Sequence, residues 1–300
     1  MQSDSPQAAA IIDGEVQMFT LSNHILRSSV LDAVPGICHG FSTRFGGKST
    51  LPHTAEMNLT RNLGDSDDVV NANLDLFAAE VSGGLLDRTR AVTAHQIHSA
   101  YVRVIDASNA GEGCASDAGE DCDGFVTASP GVMPVIRVAD CVPILLAGLC
   151  EDGSPVVSAV HAGWRGTVSG IAAEAVSEMI SLGASPSTIR AAIGPHIGLC
   201  CFEVGEDFLE AVRGIAGAEF AARHIVPSPK GISGKYHADL TGMNREILLS
   251  AGVNPANLDL SDACTMCDTV TFYSHRGMNG KRGTMGAGIL IVPRNEEENT

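Results

Sequence analysis

His98, Cys141 and His161 together offer two imidazoles and one thiol. This borderline-soft donor set suits Zn²⁺ and leaves a fourth coordination position for water or substrate. Cys141 follows Asp140 and precedes the apolar run Val142–Leu146, and His161 follows the run Val156–Val160. Both runs are short, β-rich and bounded by turn chemistry. With Glu151-Asp152-Gly153-Ser154 between them they predict a hairpin. In an antiparallel pair the outer ends lie side by side, so a carboxylate, a thiol and an imidazole converge at one rim of a sheet. On spacing alone the other reading stays open, that each residue is simply packed and satisfied, because the three lie on separate segments. After His161, Gly163-Trp164-Arg165-Gly166-Thr167 leads into an apolar-periodic stretch, Val168–Ile180, that reads as a helix. Its first amides, with Arg165 beside them, would suit an anion.

The elements that must position these groups follow from local pattern. Ala91–Ile105 alternates well enough to read as a strand carrying His95 and His98, and odd spacing puts those two on opposite faces. Only one of them can then reach the rim, and the other packs behind the sheet. Gln17–Phe41 reads as strands separated by turns, ending in a loop that carries Arg44. Asp65-Ser66-Asp67-Asp68 is expected to cap a helix over Val69–Val81. Asn109–Asp123, rich in Gly, Ser and acids, reads as an exposed excursion without chemistry. There follow a strand Asp123–Ala128, a helix Ile171–Leu182, a strand Ile189–Ile193, a loop containing His196, and a helix Val204–Val212. A further helix, Asp239–Ser250, takes Asp239 as N-cap, and Ala287–Val292 is the last strand. Residues 1–16 read as a lead without order and 294–300 as a polar tail, leaving one domain over 17–293.

Two other cysteine groupings bear on metal chemistry. Cys264-x-x-Cys267 could hold zinc or cycle as a redox pair. A structural zinc needs a second ligand pair, however, and a redox motif needs a different strand-helix context, so two ordinary thiols are favoured. The vicinal Cys200 and Cys201 cannot easily share one ion and read as packing residues.

Composition bounds the partners. The chain has 300 residues, 44% of them hydrophobic, enough for a large core. A formal charge of −16 argues against a nucleic-acid backbone or an anionic membrane as partner, because both demand a basic face. Small molecules are the expected partners, and a monomer the expected state. Nine cysteines is an odd count, and the N-terminus lacks the basic start and apolar core of a signal peptide. A reducing, cytoplasmic setting is expected.

The segments FSTRFGG, MNLTRNLGDS, HQIHSAYV, CDGFVT, RVADCVPILLA, AVHAGWRGTVSGI and AIGPHIGLCCFEVG occur in this order, followed by CT, FYSHRG and KRG. Over about Gly40 to Pro293 the chain thereby resembles the laccase-domain family. Its members were once described as multicopper polyphenol oxidoreductases and are now regarded as purine nucleoside phosphorylases. The resemblance implies an α/β (mixed α+β) fold, a mixed β-sheet core flanked by helices in a single domain. It also implies zinc rather than copper, held by His98 of QIHS, Cys141 of ADC and His161 of HAGW. The implied reaction is phosphorolysis of adenosine, inosine, guanosine or methylthioadenosine by inorganic phosphate, with adenosine deamination as a companion activity. On that reading Asp140, Cys141, His161 and Arg44 are catalytic, while Arg44, Asn58, Arg165, His196 and Arg276 bind phosphate or nucleoside.

Three alternatives use the same residues differently. A copper polyphenol oxidase needs many imidazoles, usually in His-x-His pairs, and this chain has ten histidines and no such pair. A cysteine hydrolase would use Cys141 as nucleophile and His161 as base. A purine-sensing module would bind without turnover.

Overall fold

Apolar runs form sixteen strands among the described residues, which are 8–12 and 15–293 of this computed structural model. In chain order they are β1 (Ala8–Ile12), β2 (Glu15–Ser22), β3 (Ile25–Ser28), β4 (Ile37–Ser42), β5 (Ala91–Val92), β6 (Val102–Val104), β7 (Gly124–Thr127) and β8 (Met133–Val138), then β9 (Val142–Leu149), β10 (Pro155–Ala162), β11 (Arg190–Ile193), β12 (Glu203–Gly205), β13 (Ile225–Pro227), β14 (Lys235–Ala238), β15 (Leu258–Leu260) and β16 (Met285–Ile291). The helices are α1 (Ser29–Asp32), α2 (Asp67–Ser82), α3 (Trp164–Val168), α4 (Ile171–Ser181), α5 (Glu206–Ala216), α6 (Ala218–His224) and α7 (Leu240–Ser250). The mixed α/β class is as expected, but the β-structure divides into three sheets rather than one. A seven-stranded sheet runs β1-β2-β3-β4-β16-β8-β5, a six-stranded sheet runs β15-β11-β9-β10-β7-β6, and a small one runs β12-β14-β13.

The period-2 alternation of strand side chains explains how the large sheets stack. On β9, Val142, Ile144 and Leu146 face one core while Leu145 and Ala147 face another. On β10, Val156 and Val160 share the first core and Val157 and Ala159 the second. That second core also holds Ile136 and Val138 of β8 and Ala287 and Ile289 of β16, so it lies between the two large sheets. The first core is closed by α4, α5, α6 and α7. On the outer face of the seven-stranded sheet, Val70, Leu74, Phe77 and Val81 of α2 pack on Met133, Val135 and Leu290. Layers therefore run α2, sheet, sheet, helices. Burial on both faces is why the β9 and β10 sequences read as nearly continuous apolar runs.

Several local expectations change. Ala8–Ile12 pairs with β2 in a register that matches Ile12 to Glu15, so part of the expected lead is a strand. Residues 1–7, 13–14 and 294–300 lie outside the described residues. The helix expected over Val168–Ile180 is two helices, interrupted at Gly170 with φ 85. Helix α2 starts at Asp67 with Ser66 as N-cap but without a side-chain capping bond. Asp65 instead accepts from Ser49 and Asn58. The Asp239 cap does form, to Gly242 N–H at 2.9 Å. No helix among the described residues is long and apolar enough to cross a membrane.

One buried group predicts how this fold responds to acid. His39 on β4 is 1% exposed and accepts a 2.8 Å hydrogen bond from Ser28 N–H through Nε2. Burial, with the Arg27 charge adding to it, pushes its pKa down to about 3, although Asp32 Oδ1 lies 3.7 Å from Nδ1. The folded pKa is therefore below the unfolded one, so the stability is complete above about pH 6.5 and is lost as pH falls toward 3. The slope for one such proton is about 1.4 kcal/mol per pH unit. Urea unfolding of wild type and His39→Gln between pH 6.5 and 4.5 should show the variant losing stability less steeply. Parallel slopes would assign the acid sensitivity elsewhere.

Candidate active site

Asp123, at the entry to β7, is fully buried and ties two other segments to its own. Its Oδ1 accepts from His161 Nδ1 at 2.8 Å and from His98 N–H at 2.9 Å, and Oδ2 accepts from Ser99 N–H at 2.6 Å and Ser99 Oγ at 2.8 Å. The Asp123 carbonyl accepts from His161 N–H at 2.7 Å. Because His161 Nδ1 is engaged by Asp123, its Nε2 edge is the one turned to Cys141 and able to bind. Among the described residues Asp123 is the largest omission from the sequence reading. It stands in the CDGFVT segment, but a carboxylate before a strand gives no sign that it will serve a histidine 38 residues on.

The expected hairpin forms, with Ala162 opposite Val142 and His161 opposite Pro143, so Cys141 and His161 do meet at one rim. His98 arrives from a loop and not from the expected strand. After the two-residue β5, the amides of Ile97, His98 and Ser99 turn onto the Asp123 carboxylate instead of a neighbouring strand, and His98 takes φ 62. Its ring crosses that of His161 at 83°, centroids 4.8 Å apart, and its Nε2 lies 3.7 Å from Cys141 Sγ. Close approach to Gly163 makes room for it, since a Cβ there would stand 2.5 Å from His98 Cδ2. His95 is not packed behind the sheet. Its side chain is 74% exposed, 3.4 Å from Asp121.

Burial alone would raise the Cys141 thiol, but hydrogen bonds from His161 and His98 bring it down to about 6. Burial would lower His161, but Asp123 and Cys141 raise it to about 9. Burial would raise Asp123, and the bonds from His161 and Ser99 hold it at about 2. Two nitrogens and one sulfur thus lie within 4.8 Å of one another, with the thiol poised to ionise. Tetrahedral donors at about 2.0 Å for nitrogen and 2.3 Å for sulfur stand about 3.5 Å apart. The observed 3.7 Å fits such a shell. Asp123 supplies the kind of outer hydrogen bond that orients a histidine of a metal site, so with metal held by this triad Asp123→Asn should weaken its affinity by roughly 10–100-fold. Competition with a chromogenic chelator measures this. Unchanged affinity would mean that His161 is oriented without Asp123.

The triad opens on a cleft of about 210 Å³ whose walls include Thr60, Gln96, Arg137, Arg282 and Thr284. Arg282, in the KRG segment, was not singled out from the sequence. Its Nε is buried without a hydrogen-bond partner, and its head makes only long contacts, 3.4 Å each, to the Gly283 carbonyl and to His275 Nδ1. Burial lowers its pKa, against which the Asp140 and Cys141 charges act, and a guanidinium stays charged at neutral pH regardless. The 109–123 segment is less exposed than expected, because Cys114 and Cys122 are buried. Gly113 and Ser116–Ala118 wall a neighbouring cleft of about 460 Å³ that shares His95 and Arg137 with the first.

The other expected contact residues do not line the cleft at the triad. Arg44 donates to the carbonyls of Ala55 and Thr269 at 2.9 and 2.8 Å and stacks on Tyr273. Asn58, fully buried, is bonded to Thr60, Asp65 and Thr284. Arg165 is exposed and lies 4.3 Å over the Trp164 ring, at the start of a five-residue helix. His196 spends both ring nitrogens internally, on the Gly194 carbonyl and Thr241 Oγ1, each at 2.8 Å. Asp140, at φ 86, accepts from Thr265 Oγ1 and from Arg276 N–H, each at 2.6 Å. It anchors the C-terminal loops beside Cys141, and the Arg276 side chain donates to the Glu203 carbonyl.

The stacked-sheet α/β fold thus brings two histidines and one cysteine together at a sheet rim, a candidate metal site opening on a cleft. The chain belongs to the family described as multi-copper polyphenol oxidoreductase laccase, whose model matches residues 38–292. It is 35% identical over 270 residues to the purine nucleoside phosphorylase YlmD of Geobacillus stearothermophilus, covering 87% of this chain and 92% of that protein. It is 39% identical over 202 residues to the adenosine deaminase RL5 of an unknown prokaryotic organism, covering 66% and 74%. Among solved structures, the Bacillus licheniformis hypothetical protein YfiH superposes with a TM-score of 0.80 at 29% identity, covering 91% of this chain and 98% of that one.

Proposed function

We propose that this protein is a purine nucleoside phosphorylase that cleaves adenosine, inosine, guanosine or methylthioadenosine with inorganic phosphate, using zinc held by His98, Cys141 and His161. The observation that carries the reading is one cleft in which this donor set and the under-bonded Arg282 face each other. Bound there, zinc would supply Lewis acidity and would lower the pKa of coordinated water. The remaining work falls to the chain's own groups. Phosphorolysis passes through an oxocarbenium-like sugar, so an anionic phosphate must be held near C1′ and charge on the departing purine stabilised. Of the two arginines on the cleft wall, Arg137 donates to the Ala94 carbonyl, and Arg282, with its Nε unpartnered, is the one that would hold phosphate. Thr60 and Thr284, whose hydroxyls are 2.6 Å apart at the wall, are placed to orient sugar or phosphate oxygens. The buried Asp123 keeps the His161 ring fixed throughout.

Adenosine deamination is the second reading. It is favoured by the likeness to the protein named adenosine deaminase RL5 and needs no phosphate. The copper-oxidase reading fits poorly. Among the described residues the metal-ligating groups are one triad with two imidazoles and one cluster of cysteines, and a trinuclear copper site needs far more imidazole. The deciding experiment incubates adenosine with purified protein with and without phosphate and separates adenine, hypoxanthine and inosine. Adenine formed only with phosphate supports phosphorolysis, and inosine formed without phosphate supports deamination. Absence of both overturns the proposal in favour of a binder or a cysteine hydrolase.

A further inference from the structure

The four cysteines that spacing alone leaves as ordinary thiols converge in space. The sulfurs of Cys200, Cys201, Cys264 and Cys267 lie within 4.8 Å of one another, and Cys267 Sγ is 3.5 Å from Cys200 Sγ and 3.4 Å from Cys201 Sγ. Four thiolates around one ion at a Zn–S distance of about 2.3 Å stand about 3.8 Å apart. The cluster already has those dimensions.

Two facing turns produce it. The Gly198 carbonyl accepts from Cys201 N–H at 2.9 Å and Phe202 N–H at 3.0 Å, a turn that brings the vicinal sulfurs to one side, where a strand would oppose them. Opposite, the Cys264 carbonyl accepts from Asp268 N–H at 3.0 Å, which closes the Cys-x-x-Cys loop. Gly198 N–H points at Cys264 Sγ from 3.2 Å, and the amides of Cys267 and Met266 bear on the same sulfur. Amide donors of this kind stabilise a thiolate ligand and orient it. The second ligand pair that a structural site requires is thus supplied by a segment more than sixty residues away.

We infer that Cys200, Cys201, Cys264 and Cys267 form a second metal centre, a structural tetrathiolate site for a thiophilic divalent cation such as zinc. Four protein sulfurs fill a tetrahedral shell and leave no position for substrate, which separates this centre from the open triad. Loading releases thiol protons and stabilises the folded arrangement. Its place gives it a task. Thr265, between Cys264 and Cys267, donates its hydroxyl to Asp140 Oδ1 and its N–H to the His196 carbonyl at 3.0 Å, while Ile197 N–H donates to the Asp140 carbonyl at 3.0 Å. The ion would lock together the two loops that hold Asp140, and with it the backbone of Cys141. Cys200 and Cys267 are exposed, so the ion can enter from solvent.

The test is metal stoichiometry of the whole purified protein, with a spectrum that does not depend on turnover. Wild type should carry two equivalents of zinc per chain. His98→Ala should keep one, and Cys264→Ser with Cys267→Ser should keep the other. Cobalt(II) loaded into His98→Ala should show the intense sulfur-to-cobalt charge-transfer bands of a tetrathiolate, which decides the matter even if the double serine variant fails to fold. A single equivalent that disappears in His98→Ala, with no thiolate bands, overturns the inference. So does mass analysis that finds a disulfide within the cluster of the freshly isolated protein.

Discussion

His98→Ala is expected to lose its active-site metal and its turnover together, while His95→Ala keeps that metal and stays active. His98 is one of three donors converging within 4.8 Å, and each donor contributes to a shared chelate. Removing it should cost more than the roughly 10–100-fold in affinity that loss of an outer hydrogen bond costs. His95 is 74% exposed and bound only at 3.4 Å to Asp121, so its removal should shift stability by little. Zinc content and adenosine turnover of the two variants, made side by side, check this. Loss of one zinc equivalent in His95→Ala with none lost in His98→Ala would reverse the assignment, and no loss in either would remove the site as drawn.

The structure brings His98, and not His95, to the rim with Cys141 and His161, but not through the strand alternation read from the sequence. Alternation in Ala91–Ile105 resembles a strand, and a strand would have separated the two rings by face. The chain leaves the sheet after Val92 because the Asp123 carboxylate offers amides 97–99 a partner stronger than a neighbouring carbonyl, and that competitor lies 24 to 26 residues away. Propensity is local, so such a partner does not register in a window of ten or fifteen residues. The β9–β10 hairpin was legible for the same reason turned round, since its strands, its turn and its register lie within 21 consecutive residues.

Charge placement shows the same limit. Arginines on loops look alike in sequence, yet Arg44 donates to the Ala55 and Thr269 carbonyls and Arg165 lies exposed over the Trp164 face, away from the cleft. Asn58 and His196 likewise spend their polar atoms inside the fold. What distinguishes a binding group is an unspent donor aimed into a cleft, and donors are spent by residues that only the fold brings near. Arg282 keeps such a donor, and the four-cysteine cluster has the same origin, each of its pairs having looked incomplete alone.

Arg282→Met is expected to cripple phosphorolysis selectively. Methionine keeps much of the unbranched apolar stem while removing the planar, bidentate charge that matches a phosphate oxygen pair. The guanidinium sits in the cleft with Cys141, His98 and His161, its Nε buried and unpartnered, so it is preorganised and costs little to redirect onto an anion. Loss of one preorganised charge-stabilising donor is worth about 10²–10³ in rate, or ~2.7–4 kcal/mol. That loss should appear in kcat/KM for phosphate, with Arg282→Lys intermediate because an ammonium is a point charge. Arg165→Ala, whose side chain lies on the exposed Trp164 face, should leave the phosphate dependence unchanged. Inosine formation from adenosine, which consumes no phosphate, should survive Arg282→Met far better than adenine formation. If both products fall together the arginine serves the nucleoside or the fold, and if phosphate saturation is unaltered the anion binds elsewhere on the cleft wall.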